Sequence, residues 1–146
     1  MALIVVCGPP AAGKSSWIQA HATARDIVID LDLITRALSG PGAPQWNQDP
    51  IVLRVAHKAR YAAMYEAFEL RDKVDVYLIH TMPSAKALAK YKRLDAEIVA
   101  VDPGRDIVME RIAAMRSPEM QRVATRWYNQ RKRLPQPAMP QASRQW

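Results

Sequence analysis

The sequence predicts an α/β fold: a small, mainly parallel sheet of about four strands with helices on both faces, three layers in all. Three observations carry that expectation. Short apolar runs rich in β-branched residues, at Leu3–Cys7, Ile27–Ile29, Val74–Ile79 and Glu97–Val101, alternate with longer stretches of helical spacing. The first run passes directly into a glycine-bracketed loop and a helix-compatible segment. Finally, 146 residues at 49 % hydrophobic and 24 % charged describe one domain of ordinary composition, long enough to bury a core.

Taken in order, a helix is expected from about Lys14 to Ala24, then the second strand, ending at Asp30-Leu31-Asp32. Leu33–Leu38 reads as one or two helical turns. Ser39–Pro50, 12 residues rich in Gly and Pro with Trp46 among them, reads as an irregular loop long enough to be functional. From Ile51 to about Lys73 the spacing is helical, with Ile51, Val55, Ala59, Ala62 and Tyr65/Glu66 recurring on one predicted face and Arg54, His57, Lys58, Arg60 and Arg71 on others. The third strand ends at His80-Thr81, and Ser84 is placed to cap the helix after it. The fourth strand closes at Asp102-Pro103-Gly104. A helix over about Arg105–Met115 follows, then a second, to about Lys132, announced by Ser117-Pro118-Glu119: cap, first-turn proline, first-turn acid. Residues 1–133 are expected to form the domain, and 134–146 an irregular basic tail.

The central motif is Gly8-x4-Gly13-Lys14-Ser15, which matches G-x-x-x-x-G-K-[ST] at every fixed position. Gly8 permits a sharp turn off the strand, and Gly13 lets backbone approach a phosphate with no side chain between. Successive N–H groups and a helix N-terminus then face the anion. The expected nucleoside-triphosphate cradle is Gly8, Pro9, Pro10, Ala11, Ala12, Gly13, Lys14, Ser15 and Ser16, with Lys14 on the β/γ-phosphates and the Ser15 hydroxyl on Mg²⁺.

Strand ends collect ligands in such folds, so the loop, Asp30/Asp32, His80/Thr81 and Asp102 are expected around one cleft. Asp30 and Asp32 are compatible with a strand end and helix cap. Beside this loop they are better explained as a metal-side acid (Asp30) and a carboxylate that receives a hydroxyl proton (Asp32). Arg36, one turn after Asp32, is placed to grip a substrate phosphate. Trp46 and Arg54, with His57 and Lys58, are candidates for the acceptor site. His80 either lines the cleft or serves structure; Trp127 and Tyr128 read as core.

Net charge is +7, and it is uneven: residues 1–115 hold 14 Lys/Arg against 13 Asp/Glu, residues 116–146 hold 7 against 1. That basic segment suits an anionic partner: the triphosphate, a nucleotide acceptor or nucleic acid. The single cysteine, Cys7, excludes an intramolecular disulfide and reads as a core residue. Without an apolar run of membrane length or room for a leader before the first strand, the expectation is a cytoplasmic protein with no membrane partner.

The glycine loop, the D-x-D after strand two and the Arg one turn later resemble the small P-loop kinases of the P-loop NTPase superfamily: polynucleotide 5′-kinases, zeta-toxin-type kinases, and adenylylsulfate- or gluconate-kinase relatives. The resemblance spans residues 3–36 and, more loosely, 97–126. It implies the P-loop NTPase fold, ATP and Mg²⁺ as cofactors, Asp32 as general base, Arg36 on the acceptor, and a basic lid. Arg111, Arg116, Arg122 and Arg126 are the lid candidates, with Arg116 or Arg122 stabilising charge on the transferred group. The chain departs from the pattern in ending strand three with His80-Thr81, where many relatives carry an acid, and in the four-residue Asp32–Arg36 spacing. The alternatives are an ATP-hydrolysing accessory protein with no acceptor, and a nucleic-acid-binding module.

Overall fold

The computed structural model describes residues 1–44, 48–115 and 117–136. Trp46, Arg116 and residues 137–146, which hold most of the expected tail, lie outside these.

Four strands, β1 (Leu3–Cys7), β2 (Ile27–Ile29), β3 (Val76–Ile79) and β4 (Glu97–Ala100), form one sheet in the order β2-β3-β1-β4. Every pairing is parallel, with Leu3 opposite Val76, Ile4 opposite Glu97 and Ile27 opposite Val76. β1 is buried along its whole length, as its unbroken apolar run requires of a strand covered on both faces. Side chains alternate between two cores. Leu3, Val5 and Cys7 join Ile29, Leu78, Met64, Phe68 and Tyr91 on one face; Ile4 and Val6 join Ile18, Tyr77 and Val99 on the other. Cys7 is fully buried, and burial pushes its thiol up to about 12, so it is the packing residue expected.

The helices are α1 (Lys14–His21), α2 (Leu31–Leu38), α3 (Pro50–Glu69), α4 (Ala85–Arg93), α5 (Arg105–Met115) and α6 (Pro118–Gln130), the last continued by a 3₁₀ turn over Arg131–Arg133. α2 begins two residues earlier than expected because Asp30 caps it, its side chain accepting the Asp32 N–H. Asp49, Ser84 and Ser117 cap α3, α4 and α6 in the same way.

The predicted apolar face of α3 is wrong. Ile51, Val55 and Tyr65 are exposed, while Ala56, Arg60, Met64, Ala67 and Phe68 are buried. The helix is turned so that its large residues Met64 and Phe68 reach the sheet core, and Arg60, one turn earlier on the same face, goes inward with them. Among the described residues no helix is long and apolar enough to cross a membrane.

Candidate functional site

At the carboxyl ends of the strands lies a cleft of about 530 Å³, lined by Pro10–Ser15, Asp30–Asp32, His57, Arg60, Tyr61, Ile79–Thr81 and Met120. Three of the four expected strand ends meet there. The fourth, Asp102, does not line it: it is buried 3 % exposed beside the cleft, accepting hydrogen bonds from the Tyr128 hydroxyl at 2.7 Å and the Gly104 N–H at 3.0 Å. Arg131 adds an ion pair at 3.6 Å. Asp102 therefore fastens α6 to the end of β4. Burial and the hydrogen bond to Asp102 raise the Tyr128 pKa well above its ordinary value.

The loop is held open by its own backbone. A Cβ on Gly8 would lie 2.3 Å from the Val101 carbonyl, so close packing against the neighbouring strand end demands glycine there. Gly13 has φ 100° and ψ 22°, a left-handed conformation that costs other residues dearly, and Ala11 also has φ 61°. Among the described residues no side chain caps α1 at Gly13, and its first turn begins at the cleft, which Gly13, Lys14 and Ser15 line. Ala12 is buried against Val108, Ile112 and Ala124, which seats the loop on α5 and α6.

Lys14 Nζ arches back to the carbonyls of Gly8 and Pro9, both at 2.8 Å. Burial lowers its pKa to about 8, against the opposing pull of Asp32, Cys7 and Asp30. Asp30 divides its oxygens: Oδ2 accepts the Ser15 hydroxyl at 3.2 Å, and Oδ1 accepts the Asp32 N–H at 2.9 Å. It is 5 % exposed. Asp32 lies in the first turn of α2, one residue inside the helix rather than at the strand end. Its side chain reaches solvent, yet desolvation by the cleft walls and the charge of Asp30 raise its pKa, with Lys14 and Arg36 opposing.

Asp30 reaches Ser15 from the end of β2, one strand further from the loop than β3. At the end of β3 itself, His80 bonds the Tyr91 hydroxyl through Nδ1 at 2.8 Å. Burial, then the charge of Arg60, drop its pKa to about 4, so it stands neutral. Next to it the Thr81 carbonyl receives both the Gly8 N–H at 3.2 Å and the Trp127 indole N–H at 2.8 Å. Trp127 is core, as expected, and also ties α6 to the loop.

The lid candidates separate. Arg111 donates to the Ala11 carbonyl at 2.9 Å and so touches the loop. Arg122 and Arg126 line a different depression, along α6 with Gln121, Thr125 and Asn129. Arg36 and Arg54 are exposed, on α2 and α3. Of the acceptor candidates His57 faces the cleft, accompanied by two residues the sequence reading did not single out, Arg60 and Tyr61. Their only signal was the helical phase of α3, which was misassigned.

The residues fit a nucleotide and Mg²⁺: a lysine across the loop, the N–H groups of a helix start, and a hydroxyl–carboxylate pair of hard oxygen donors. Among the described residues no cluster of three or more His, Cys, Asp or Glu could hold a metal by itself. A sequence profile for the family described as AAA domain matches residues 3–137. No curated protein matches the chain.

Proposed function

The chain belongs to the AAA-domain family, a P-loop NTPase-type domain, and on that premise we propose that it is an ATP-dependent phosphotransferase acting on a hydroxyl group. The acceptor class is a nucleotide, a polynucleotide or another small phosphorylated molecule. The observation that carries this reading is Asp30. One of its oxygens holds the Ser15 hydroxyl and the other holds the backbone of Asp32, which locks a metal-side acid and a free carboxylate into one turn.

The geometry supports the following division of labour. The loop N–H groups and Lys14 bind the β- and γ-phosphates, and Ser15 with Asp30 hold Mg²⁺. When bound, that ion neutralises charge on the phosphates. Asp32 orients the acceptor hydroxyl and takes its proton as the oxygen bonds to the γ-phosphorus and the bond to the β-phosphate oxygen breaks. Its raised pKa makes it a stronger base than an ordinary carboxylate. Arg111, already on the loop, is better placed than Arg122 to meet charge on the transferred group.

The test is transfer of label from γ-labelled ATP to a panel of hydroxyl acceptors: nucleosides, nucleoside monophosphates, 5′-hydroxyl DNA and RNA, and sugars. The expected result is a labelled acceptor from one class. Asp32→Asn should lower transfer about 10³-fold with nucleotide affinity unchanged. Free phosphate with every acceptor unlabelled would establish hydrolysis instead.

A further inference from the structure

Among the described residues, Arg60 is the one cation of the cleft wall that the loop and the acids leave unexplained. It stands in the middle of α3, 8 % exposed, beside His57, Tyr61 and His80. A guanidinium carries five N–H donors in a planar fork. Here Nη2 donates to the Ile79 carbonyl at 3.2 Å, and the Tyr61 ring centre lies 6.0 Å from Cζ. Among the described residues no carboxylate pairs with it; the ion pair present is that of Arg131 with Asp102.

Its neighbours do not neutralise it either. His80 is neutral, with its pKa near 4, and burial keeps the Tyr91 hydroxyl protonated, its pKa pushed up to about 12. Asp30 is occupied by Ser15 and the Asp32 backbone. A cation withdrawn from water with no counter-charge is costly to the fold, and an anion in the cleft would offset that cost.

The donor phosphates have their own cation, Lys14, on the loop. Arg60 rises instead from α3, which packs on α2, the helix that carries Asp32. An anion at Arg60 therefore belongs on the molecule whose hydroxyl Asp32 receives. Resting on the phosphotransfer reading above, we infer that Arg60 binds a phosphate already present on the acceptor, so that the substrate is a phosphate ester with a free hydroxyl rather than a neutral alcohol. The planar fork suits two phosphate oxygens at once, which a lysine in the same place could not match.

The experiment fills the loop with Mg²⁺ and a non-hydrolysable ATP analogue, then titrates inorganic phosphate by calorimetry. Wild type should bind a second anion. Arg60→Met, checked for an unchanged melting curve, should weaken it about 30-fold, and Arg60→Lys should fall between. In turnover, the preference in kcat/KM for a phosphorylated over an unphosphorylated acceptor should collapse in Arg60→Met while KM for ATP holds. The inference is overturned if the wild type takes up no second phosphate, if Arg60→Met binds it as well as wild type, or if that variant loses the analogue as severely as phosphate. Should Arg60→Met not fold, the wild-type and Arg60→Lys titrations decide. Binding needs no turnover, so a protein that binds the second phosphate but labels no acceptor would sink the transferase reading alone.

Discussion

The loop wall of the cleft and its α3 wall present polar groups by different means. On the loop wall the groups are backbone N–H and carbonyl, and eight consecutive residues, Gly8–Ser15, set their geometry. The side chains there are mostly small, and what matters is where the chain can go. On the α3 wall the groups are side chains, His57, Arg60 and Tyr61, and their placement depends on how Met64 and Phe68 pack against the sheet. A backbone site tolerates changes of side chain but not of conformation. A side-chain site behaves in the opposite way.

Gly8→Ala breaks the first half of that contrast if it is harmless. The added methyl meets the Val101 carbonyl at 2.3 Å, a backbone atom that cannot rotate aside. The expected cost is about 3 kcal/mol, read from chemical denaturation, with nucleotide binding lost in whatever still folds. A stable, binding-competent variant would mean that the loop is not held by close approach.

A smaller effect comes from pH. Lys14 has a pKa of about 8, and its charged form is the one that the proposed phosphate contact requires. Nucleotide affinity should therefore be flat below that value and fall above it, approaching tenfold per pH unit. On the acid side transfer should decline as Asp32 takes up its proton, at a pH above the usual carboxylate range because its pKa is raised. A rate profile from pH 5 to pH 10 beside a binding profile over the same range separates the two limbs, since only the alkaline one should appear in binding.

The smallest effect tests the anchoring of α6. Tyr128→Phe removes the hydroxyl donor to Asp102 and should cost about 1 kcal/mol in denaturant, with acceptor preference unchanged. A changed preference would show that the α6 anchor, as well as α3, shapes the acceptor wall.

How much the sequence revealed follows the same division. The strand–loop–helix unit was legible residue by residue because its parts are consecutive and its glycines have conformational reasons. The four strands were legible too, through β-branched runs with few other uses. The D-x-D was seen as important, but its dual use was not. That Asp30 caps α2 with one oxygen while holding Ser15 with the other depends on the reach from β2 across to the loop, a distance that spacing does not encode. Arg60 was hidden for a different reason. An arginine among Ala, His and Lys on a long helix reads as solvent-facing, and only packing of residues further along the helix rotates it inward. Asp102 was misplaced because a strand-end acid looks alike whether it faces a ligand or a tyrosine.

The sheet order carries a consequence for synthesis. β1 is central, hydrogen-bonded to β3 on one side and β4 on the other, and its first partner residue, Val76, follows Leu3 by 73 positions. At a ribosomal pace of about 5–20 residues per second, β1, the longest wholly apolar strand among the described residues, emerges several seconds before its partner strand β3. During that interval Leu3–Cys7 is an exposed β-forming segment, and the nascent chain needs either an attendant chaperone or local shelter against α1 until the third strand arrives.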